Sequence, residues 1–109
     1  MKRGDILTIA AKGEFGGKPR PAVVVQADPF EDHSTVILCP FTTNPVAAPV
    51  FRLNIEPSAS NGLTQPSSLM VDKVISVPRG KIGPHVGRLS ADDMARLDRT
   101  LLIFLGLAG

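Results

Sequence analysis

Residues 35–39 read TVILC, a continuous run of apolar and β-branched side chains. Such a run predicts a strand that is buried on both faces of a sheet. Pro40 follows directly, and all ten prolines of the chain lie between Pro19 and Pro84. Because each proline removes a backbone donor and clashes with the preceding helical turn, this part of the chain cannot hold long helices. The stretch and its surroundings therefore predict a β protein.

Five further strands are predicted from short apolar or alternating runs, at residues 5–11, 22–27, 50–55, 69–77 and 81–89. In residues 50–55 (VFRLNI), Arg52 and Asn54 share one face of the strand. Turns at intervals of about ten residues are typical of a small barrel or a curled antiparallel sheet. Residues 56–66 predict one long surface loop, and loops of this kind are often functional.

Helical periodicity begins only near the C-terminus. Ser90 is a typical N-cap, and Asp93 supplies the acid of a capping box. Apolar residues then recur at spacings of three and four up to Gly106, namely Met94, Leu97, Leu101, Phe104 and Leu105. This stripe predicts a C-terminal helix whose apolar surface covers the sheet or meets another subunit.

Length and composition limit the class of protein. The 109 residues predict a single domain, residues 1–109. A net charge of +2 permits a polyanionic partner without demanding one. The single cysteine excludes a disulfide scaffold and suits a reducing cytosol. No apolar stretch approaches the roughly 20 residues that span a bilayer, and no signal peptide is recognisable. We therefore expect a cytoplasmic protein with no membrane partner.

Several common sites are excluded by the spacing of their residues. Residues 13–18 (GEFGGK) are glycine-rich but lack the P-loop spacing. His33 and His85 have no second ligand at metal-binding spacing, so we expect no metal. Cys39 ends an apolar strand, where a buried, inert thiol is the more common situation.

Polar residues at strand ends are the remaining candidates. Arg20 stands between Pro19 and Pro21, which stiffen the backbone and hold the side chain in position. A fixed guanidinium can bind a phosphate or a charged transition state. The alternative is an ordinary solvated arginine ahead of a strand.

Two further candidate groups follow or interrupt predicted strands. The hydroxyls of Thr42 and Thr43 come directly after the strand of residues 35–39, where they can contact phosphate oxygens or stabilise a turn. Asp72 and Lys73 form a charge pair inside the apolar run of residues 69–77. The pair indicates either a carboxylate of functional use or a surface ion pair.

An ordered series of segments covers nearly the whole chain. It comprises residues 2–6 (KRGDI), 13–24 (GEFGGKPRPAVV), 40–43 (PFTT), 61–63 (NGL), 67–73 (SSLMVDK) and 87–90 (GRLS), followed by a helix ending in LGL at residues 105–107. In this order and spacing, the chain resembles the MazF/PemK family of toxins from toxin–antitoxin modules.

The resemblance implies a fold, an activity and partners. The fold is mainly β, a small SH3-like barrel of antiparallel strands with a C-terminal helix (CcdB/PemK-like), usually as a homodimer. The activity is sequence-specific cleavage of single-stranded mRNA without a metal or other cofactor, inhibited by a cognate antitoxin protein. RNA supplies its own nucleophile, the 2′-OH, so the protein needs only a base, an acid and a group that stabilises charge.

The resemblance also assigns roles to residues. The family's arginine matches Arg20 and its threonine matches Thr42. The general base is Glu14 by analogy with some members and Asp72 by analogy with others, and both remain open. Two departures bear on that choice, a first loop that is about one residue longer and Met70 where certain members carry a catalytic arginine. RNA binding is assigned to Lys18, Phe15, Thr43 and Lys73.

Two other functions are compatible with the same barrel. One is a non-enzymatic toxin of the CcdB type, which binds DNA gyrase and has no need of Arg20 or Thr42. The other is an inactive SH3-like interaction module. The RNA sequence that is cleaved, the antitoxin and any composite site between two subunits cannot be deduced from the pattern.

Overall fold

The computed structural model describes residues 1–10, 19–44 and 51–108. Within these ranges the chain forms seven strands and one α-helix: β1 (Asp5–Ile9), β2 (Arg20–Val24), β3 (Thr35–Thr42), β4 (Arg52–Ile55), β5 (Ser67–Met70), β6 (Ile75–Pro78), β7 (Ile82–Arg88) and α1 (Ala91–Phe104). Short 3-10 turns occupy Asp28–Phe30, Val71–Lys73 and Arg79–Lys81. None of the helical segments in the described part of the chain is long and apolar enough to cross a membrane.

The strands pair in the order β4-β5-β3-β2-β1-β7, with β6 pairing to β3, and every pairing is antiparallel. This arrangement confirms the predicted fold class, a mainly antiparallel β protein with a C-terminal helix. The pairings found among the described residues leave the barrel open between its outermost strands.

Strand β3 lies at the centre of the sheet, and one of its edges pairs with two strands in succession. Phe41 pairs with Leu69 of β5, whereas Leu38 pairs with Ile75 of β6. Leu38 and Phe41 are three residues apart on β3, whereas their partners Ile75 and Leu69 are six residues apart. The three extra residues form the turn Val71–Lys73. The prediction of one strand over residues 69–77 is wrong for this reason, because the inserted turn interrupts the strand.

Both faces of the central strands are covered. Adjacent residues belong to two different apolar clusters, as in the pairs Ile6 and Leu7, Val23 and Val24, and Cys39 and Leu38. Because neighbouring side chains on a strand point to opposite faces, two cores lie on either side of the sheet. The prediction that residues 35–39 form a doubly buried strand is confirmed.

Helix α1 covers one of these two cores. Ser90 caps the helix by accepting a hydrogen bond from the Asp93 amide, and Leu97 is fully buried against the sheet. The apolar stripe extends past this contact into water, where the exposed residues are Leu102, Ile103, Phe104, Leu105 and Leu107. The helix therefore covers the sheet with its middle turns and leaves an apolar C-terminal end exposed.

The predicted surface loop at residues 56–66 is anchored by one buried amide. Asn61 accepts hydrogen bonds from the Ser58 and Leu63 amides and donates one to the Glu56 carbonyl. Gly87 of β7 lies against the Asn61 backbone without room for a side chain. The loop is thereby fixed on β7, and its ends lie beside the candidate active site.

Candidate active site

Arg20 and Thr42 line the same cavity, of about 520 Å³, together with Asp72 and Lys73. A second cavity of about 340 Å³ also contains Arg20 and Thr42, and Thr43 lines it as well. A third cavity, of about 330 Å³, shares Thr42 and Thr43 with the second. Because neighbouring cavities share lining residues, we refer to the three together as the groove, and their lining contains five of the residues predicted from the sequence.

Arg20 is positioned by the sheet itself. It is the first residue of β2 and pairs with Ile9 of β1, so the strand begins two residues earlier than predicted. The strand starts earlier because it includes Pro21, which pairs with Thr8. Proline lacks a backbone N–H, and it is tolerated at a strand end where no hydrogen bond from that position is needed. The side chain of Arg20 therefore extends from a strand and not from a preceding loop.

Thr42 is the last residue of β3, which runs three residues beyond the predicted end. On one edge of β3, residues 35–38 pair with β6 and residues 41–42 pair with β5. Pro40 lies between these two pairings, so its missing N–H interrupts no backbone hydrogen bond on that edge. The buried Thr42 hydroxyl accepts a hydrogen bond from the Asn44 amide at 3.2 Å. This bond orients the oxygen and leaves the hydroxyl hydrogen to donate to a ligand.

Asp72 lies in the inserted turn, and its partner is not Lys73 but Arg52. Arg52 Nε donates to Asp72 Oδ1 at 3.0 Å, and Arg52 Nη2 donates to Oδ2 at 3.3 Å. Both side chains are largely buried, with 11% and 22% of their surface exposed. The Arg52 guanidinium also lies over the Phe51 ring, 5.9 Å from its centroid. The pair therefore holds the Asp72 carboxylate in one orientation at the cavity wall.

Sequence reasoning missed Arg52 as a site residue, although the signal was present. Arg52 and Asn54 are two residues apart, which predicts that both side chains lie on one face of β4. Nothing in the sequence pattern predicts that this face lies beside Asp72. Arg52 lines none of the three cavities itself, and the polar lining residues to which the sequence assigned no role include Asn44, Gln65, Ser67 and Ser68.

The first cavity contains groups that can bind an anion. Among its described lining residues, Arg20 and Lys73 are the cations, and the carboxylate of Asp72 is paired with Arg52. A guanidinium, an ammonium and a hydroxyl donor around one cavity are groups that bind phosphate oxygens. The arrangement can therefore hold a phosphodiester and stabilise negative charge that develops on it.

Three of the predicted site residues, Glu14, Phe15 and Lys18, lie outside the described residues. Of the two alternatives for the general base, only Asp72 can accordingly be located in the groove.

Cys39 is not available as a nucleophile. Its side chain is fully buried in the core beneath the sheet. Burial, with a smaller contribution from the negative charge of Asp72, raises the pKa of the Cys39 thiol to about 12. The thiol stays protonated at neutral pH, and the interpretation of Cys39 as an inert core residue is confirmed.

Comparison with known sequences identifies the family. Residues 2–105 match the family model described as PemK-like, MazF-like toxin of type II toxin-antitoxin system. The chain is 51% identical over 109 residues to a probable endoribonuclease MazF of Mycolicibacterium smegmatis, with 100% of both chains covered. It is 29% identical to endoribonuclease MazF9 of Mycobacterium tuberculosis, with 98% of each covered.

Comparison with solved structures agrees on the fold. A mycobacterial endoribonuclease solved in complex with its cognate antitoxin superposes with a TM-score of 0.81 at 19% identity, covering 100% of this chain and 98% of that one. The Mycobacterium tuberculosis toxin MazF-mt6 gives a TM-score of 0.78 at 24% identity, covering 95% and 99%. With the family model matching residues 2–105 of the chain and a relative more than half identical, the chain belongs to the PemK-like, MazF-like toxins of type II toxin–antitoxin systems.

Proposed function

We propose that the protein is an endoribonuclease that cleaves single-stranded mRNA by attack of the ribose 2′-OH on the adjacent phosphodiester. The single observation that supports this most strongly is the sharing of one cavity by Arg20 and Thr42. Both curated relatives carry the name endoribonuclease, and one of them matches over the full chain.

The proposed chemistry assigns a separate task to each group. Arg20, permanently charged and planar, stabilises the negative charge that builds on the phosphate oxygens in the transition state. Thr42 donates its hydroxyl hydrogen to one of these oxygens. Lys73 and Thr43 bind the flanking phosphates. The reaction uses no metal, because its nucleophile belongs to the substrate and its charge is stabilised by the guanidinium.

Asp72 is the weaker of the two candidates for the base. Both oxygens of its carboxylate already accept hydrogen bonds from Arg52, so both are engaged by another side chain. We propose that Asp72 orients groups in the cavity and that Glu14 removes the 2′-OH proton. The 2′-oxygen then bonds to phosphorus as the bond from phosphorus to the 5′-oxygen breaks, and water protonates the leaving 5′-oxygen. Phe15 and Lys18, which lie close to Glu14 in the sequence, bind RNA by stacking and by charge.

The partners proposed for the protein are a cognate antitoxin and a second copy of the chain. A related structure contains an endoribonuclease with its cognate antitoxin. The exposed apolar end of α1 gives two copies a surface to bury. We place the protein in the cytoplasm, where mRNA is available.

The gyrase-binding alternative has no support from the relatives, because both are named as endoribonucleases. An RNA cleavage assay distinguishes the enzyme from the inactive interaction module.

The test is cleavage of a long single-stranded RNA by the purified protein, with and without EDTA. We expect cleavage in both conditions. Arg20→Ala is expected to lower kcat by about 10²–10³, by analogy with the removal of one oxyanion-hole donor. Its melting temperature should remain close to that of the wild type.

Arg99→Ala is the matched control, since Arg99 is an exposed arginine on α1 that lines none of the three cavities. It should cleave at the wild-type rate. Absence of cleavage by the wild type would refute the enzymatic function, and inhibition by EDTA that added divalent ions reverse would refute the metal-free mechanism.

A further inference from the structure

A row of polar side chains crosses three strands beside Thr42. Thr42 of β3 pairs with Ser68 of β5, and Ser68 pairs with Asn54 of β4. Paired residues of neighbouring antiparallel strands lie on the same face of the sheet. Neighbouring strands are about 4.8 Å apart, so Asn54 lies about 10 Å from Thr42. The row leads from the site of cleavage proposed above to the edge of the sheet.

The row forms the wall of the third cavity, whose volume of about 330 Å³ is in the range of small-ligand sites. Its described lining contains hydroxyls, an amide and the carboxylate of Glu56, with no lysine or arginine. Glu56 would repel a phosphate, and no lysine or arginine among the described lining residues offsets that repulsion. Amide, carboxylate and hydroxyl groups are those that read the edges of nucleobases.

The hydrogen bonds in the row set which group of Asn54 remains for a ligand. Ser68 Oγ donates to Asn54 Oδ1 at 2.8 Å, so the amide oxygen is occupied and the Nδ2 group remains as a donor. Glu56, two residues further along the chain, lines the same cavity and supplies an acceptor. A nucleobase with a hydrogen-bond acceptor beside a hydrogen-bond donor is complementary to the Asn54 Nδ2 donor and the Glu56 carboxylate acceptor.

The backbone under both residues is held in place. Arg96 of α1 donates to the Asn54 carbonyl at 3.1 Å, and Asn61 donates to the Glu56 carbonyl at 2.8 Å. The two side chains themselves are exposed. This combination of a fixed backbone and accessible polar groups is typical of a pre-organised recognition site.

We infer that the third cavity binds the base of a nucleotide next to the cleaved phosphate, and that Asn54 and Glu56 determine which base is accepted there. The inference rests on the proposed endoribonuclease function and adds a specificity site to it.

The experiment is to cleave a pool of RNAs with randomised sequence and to determine the base preference on both sides of each cut by sequencing the ends. Asn54→Asp replaces the donor with an acceptor, and Glu56→Gln removes the charge from an exposed side chain. For both variants we expect the preference at one position beside the cut to change by about tenfold. The rate on the best sequence for each variant should stay within a few-fold of the wild type.

Asp92→Asn is the matched control, because it makes the same change of charge on exposed surface of α1, outside the three cavities. Circular dichroism establishes that each variant is folded, and Glu56→Gln alone decides the test if Asn54→Asp does not fold. A wild-type preference at every position in the folded variants would overturn the inference while leaving the endoribonuclease intact. Loss of all cleavage in a folded variant would also overturn it, since a selecting residue is not required for the chemistry. A wild type that cuts no RNA would overturn the proposed function and this inference together.

Discussion

At the scale of residues, some side chains line the groove directly and others act by orienting a lining residue. Arg20 and Thr42 line the cavity directly, and each has an unbroken strand behind it. Asp72 depends instead on Arg52, whose two donors match the two carboxylate oxygens. A planar guanidinium makes this bidentate contact, which a lysine cannot reproduce. The geometry of the Asp72 side of the cavity is therefore set by a residue on a different strand.

Arg52→Met tests this dependence. It removes both hydrogen bonds and leaves a partly buried carboxylate without its partner, so we expect a loss of about 1–3 kcal/mol in the free energy of unfolding. Misplacement of Asp72 should lower kcat by up to about 10²-fold with a smaller change in KM. Single-turnover kinetics and chemical denaturation measure the two effects.

Arg52→Lys serves as the conservative control, because it keeps the charge and loses the fork of donors. It should recover most of the stability and only part of kcat. Equal kcat for Arg52→Met and the wild type would show that the ion pair has no part in positioning.

At the scale of elements, the inserted turn Val71–Lys73 and the loop held by Asn61 shape the groove. The turn moves Asp72 and Lys73 out of the ladder and into the cavity wall. The loop is anchored by close backbone contact with β7, where the Arg88 amide donates to the Ser60 carbonyl at 2.8 Å. Such contact is possible only because Gly87 has no side chain.

Gly87→Ala tests the loop anchor. The added Cβ would overlap the backbone of Ser60 and Asn61, so we expect overpacking to cost about 1–3 kcal/mol. The free energy of unfolding measures the effect.

Gly80→Ala is the matched control, since a Cβ at that position would have open space around it. It should be neutral or stabilising by about 0.4–1 kcal/mol, through a less flexible unfolded chain. Equal destabilisation by both substitutions would exclude the loop anchor as the reason.

The sequence predicted these elements unevenly, and the physical reason is distance along the chain. The cap of α1 at Ser90 and the doubly buried residues 35–39 depend on neighbours in sequence, and both were predicted. The break at Val71–Lys73 depends on the register of β5 and β6 against β3, and the Arg52–Asp72 pair joins residues 20 apart. Hydrophobic periodicity and residue propensity describe local structure, and they do not predict which distant residues pair. Local stiffness and resemblance indicate Arg20 and Thr42 as site residues, but neither predicts that both line one cavity.

At the scale of the whole molecule, the chain buries two apolar cores and still leaves apolar surface at the end of α1. Phe104 packs against Phe51 with ring centroids 5.8 Å apart, and Phe51 lies under Arg52. The exposed end of the helix is thus in contact, through two rings, with the ion pair at the groove. Contact with a second copy there would cover the apolar surface close to the site.

Leu105→Glu tests the proposed homodimer. We expect the wild type to sediment at twice the mass of one chain and the variant to shift toward a single chain, because a carboxylate would be buried without a partner. Analytical ultracentrifugation over a range of concentrations measures the shift. Ala91→Glu, which adds the same group at the exposed start of α1, should sediment as the wild type does. A dimer unaffected by Leu105→Glu would exclude this end of the helix from the interface.

The central claim is that a ribose hydroxyl of the substrate is the nucleophile, with charge stabilised by Arg20 and Thr42. Its most direct test is the chemistry of the cut ends on a short RNA of defined sequence, determined by mass spectrometry. The account predicts a 2′,3′-cyclic phosphate on the upstream fragment and a 5′-hydroxyl on the downstream fragment. A 3′-hydroxyl paired with a 5′-phosphate would show that water is the nucleophile and would contradict it.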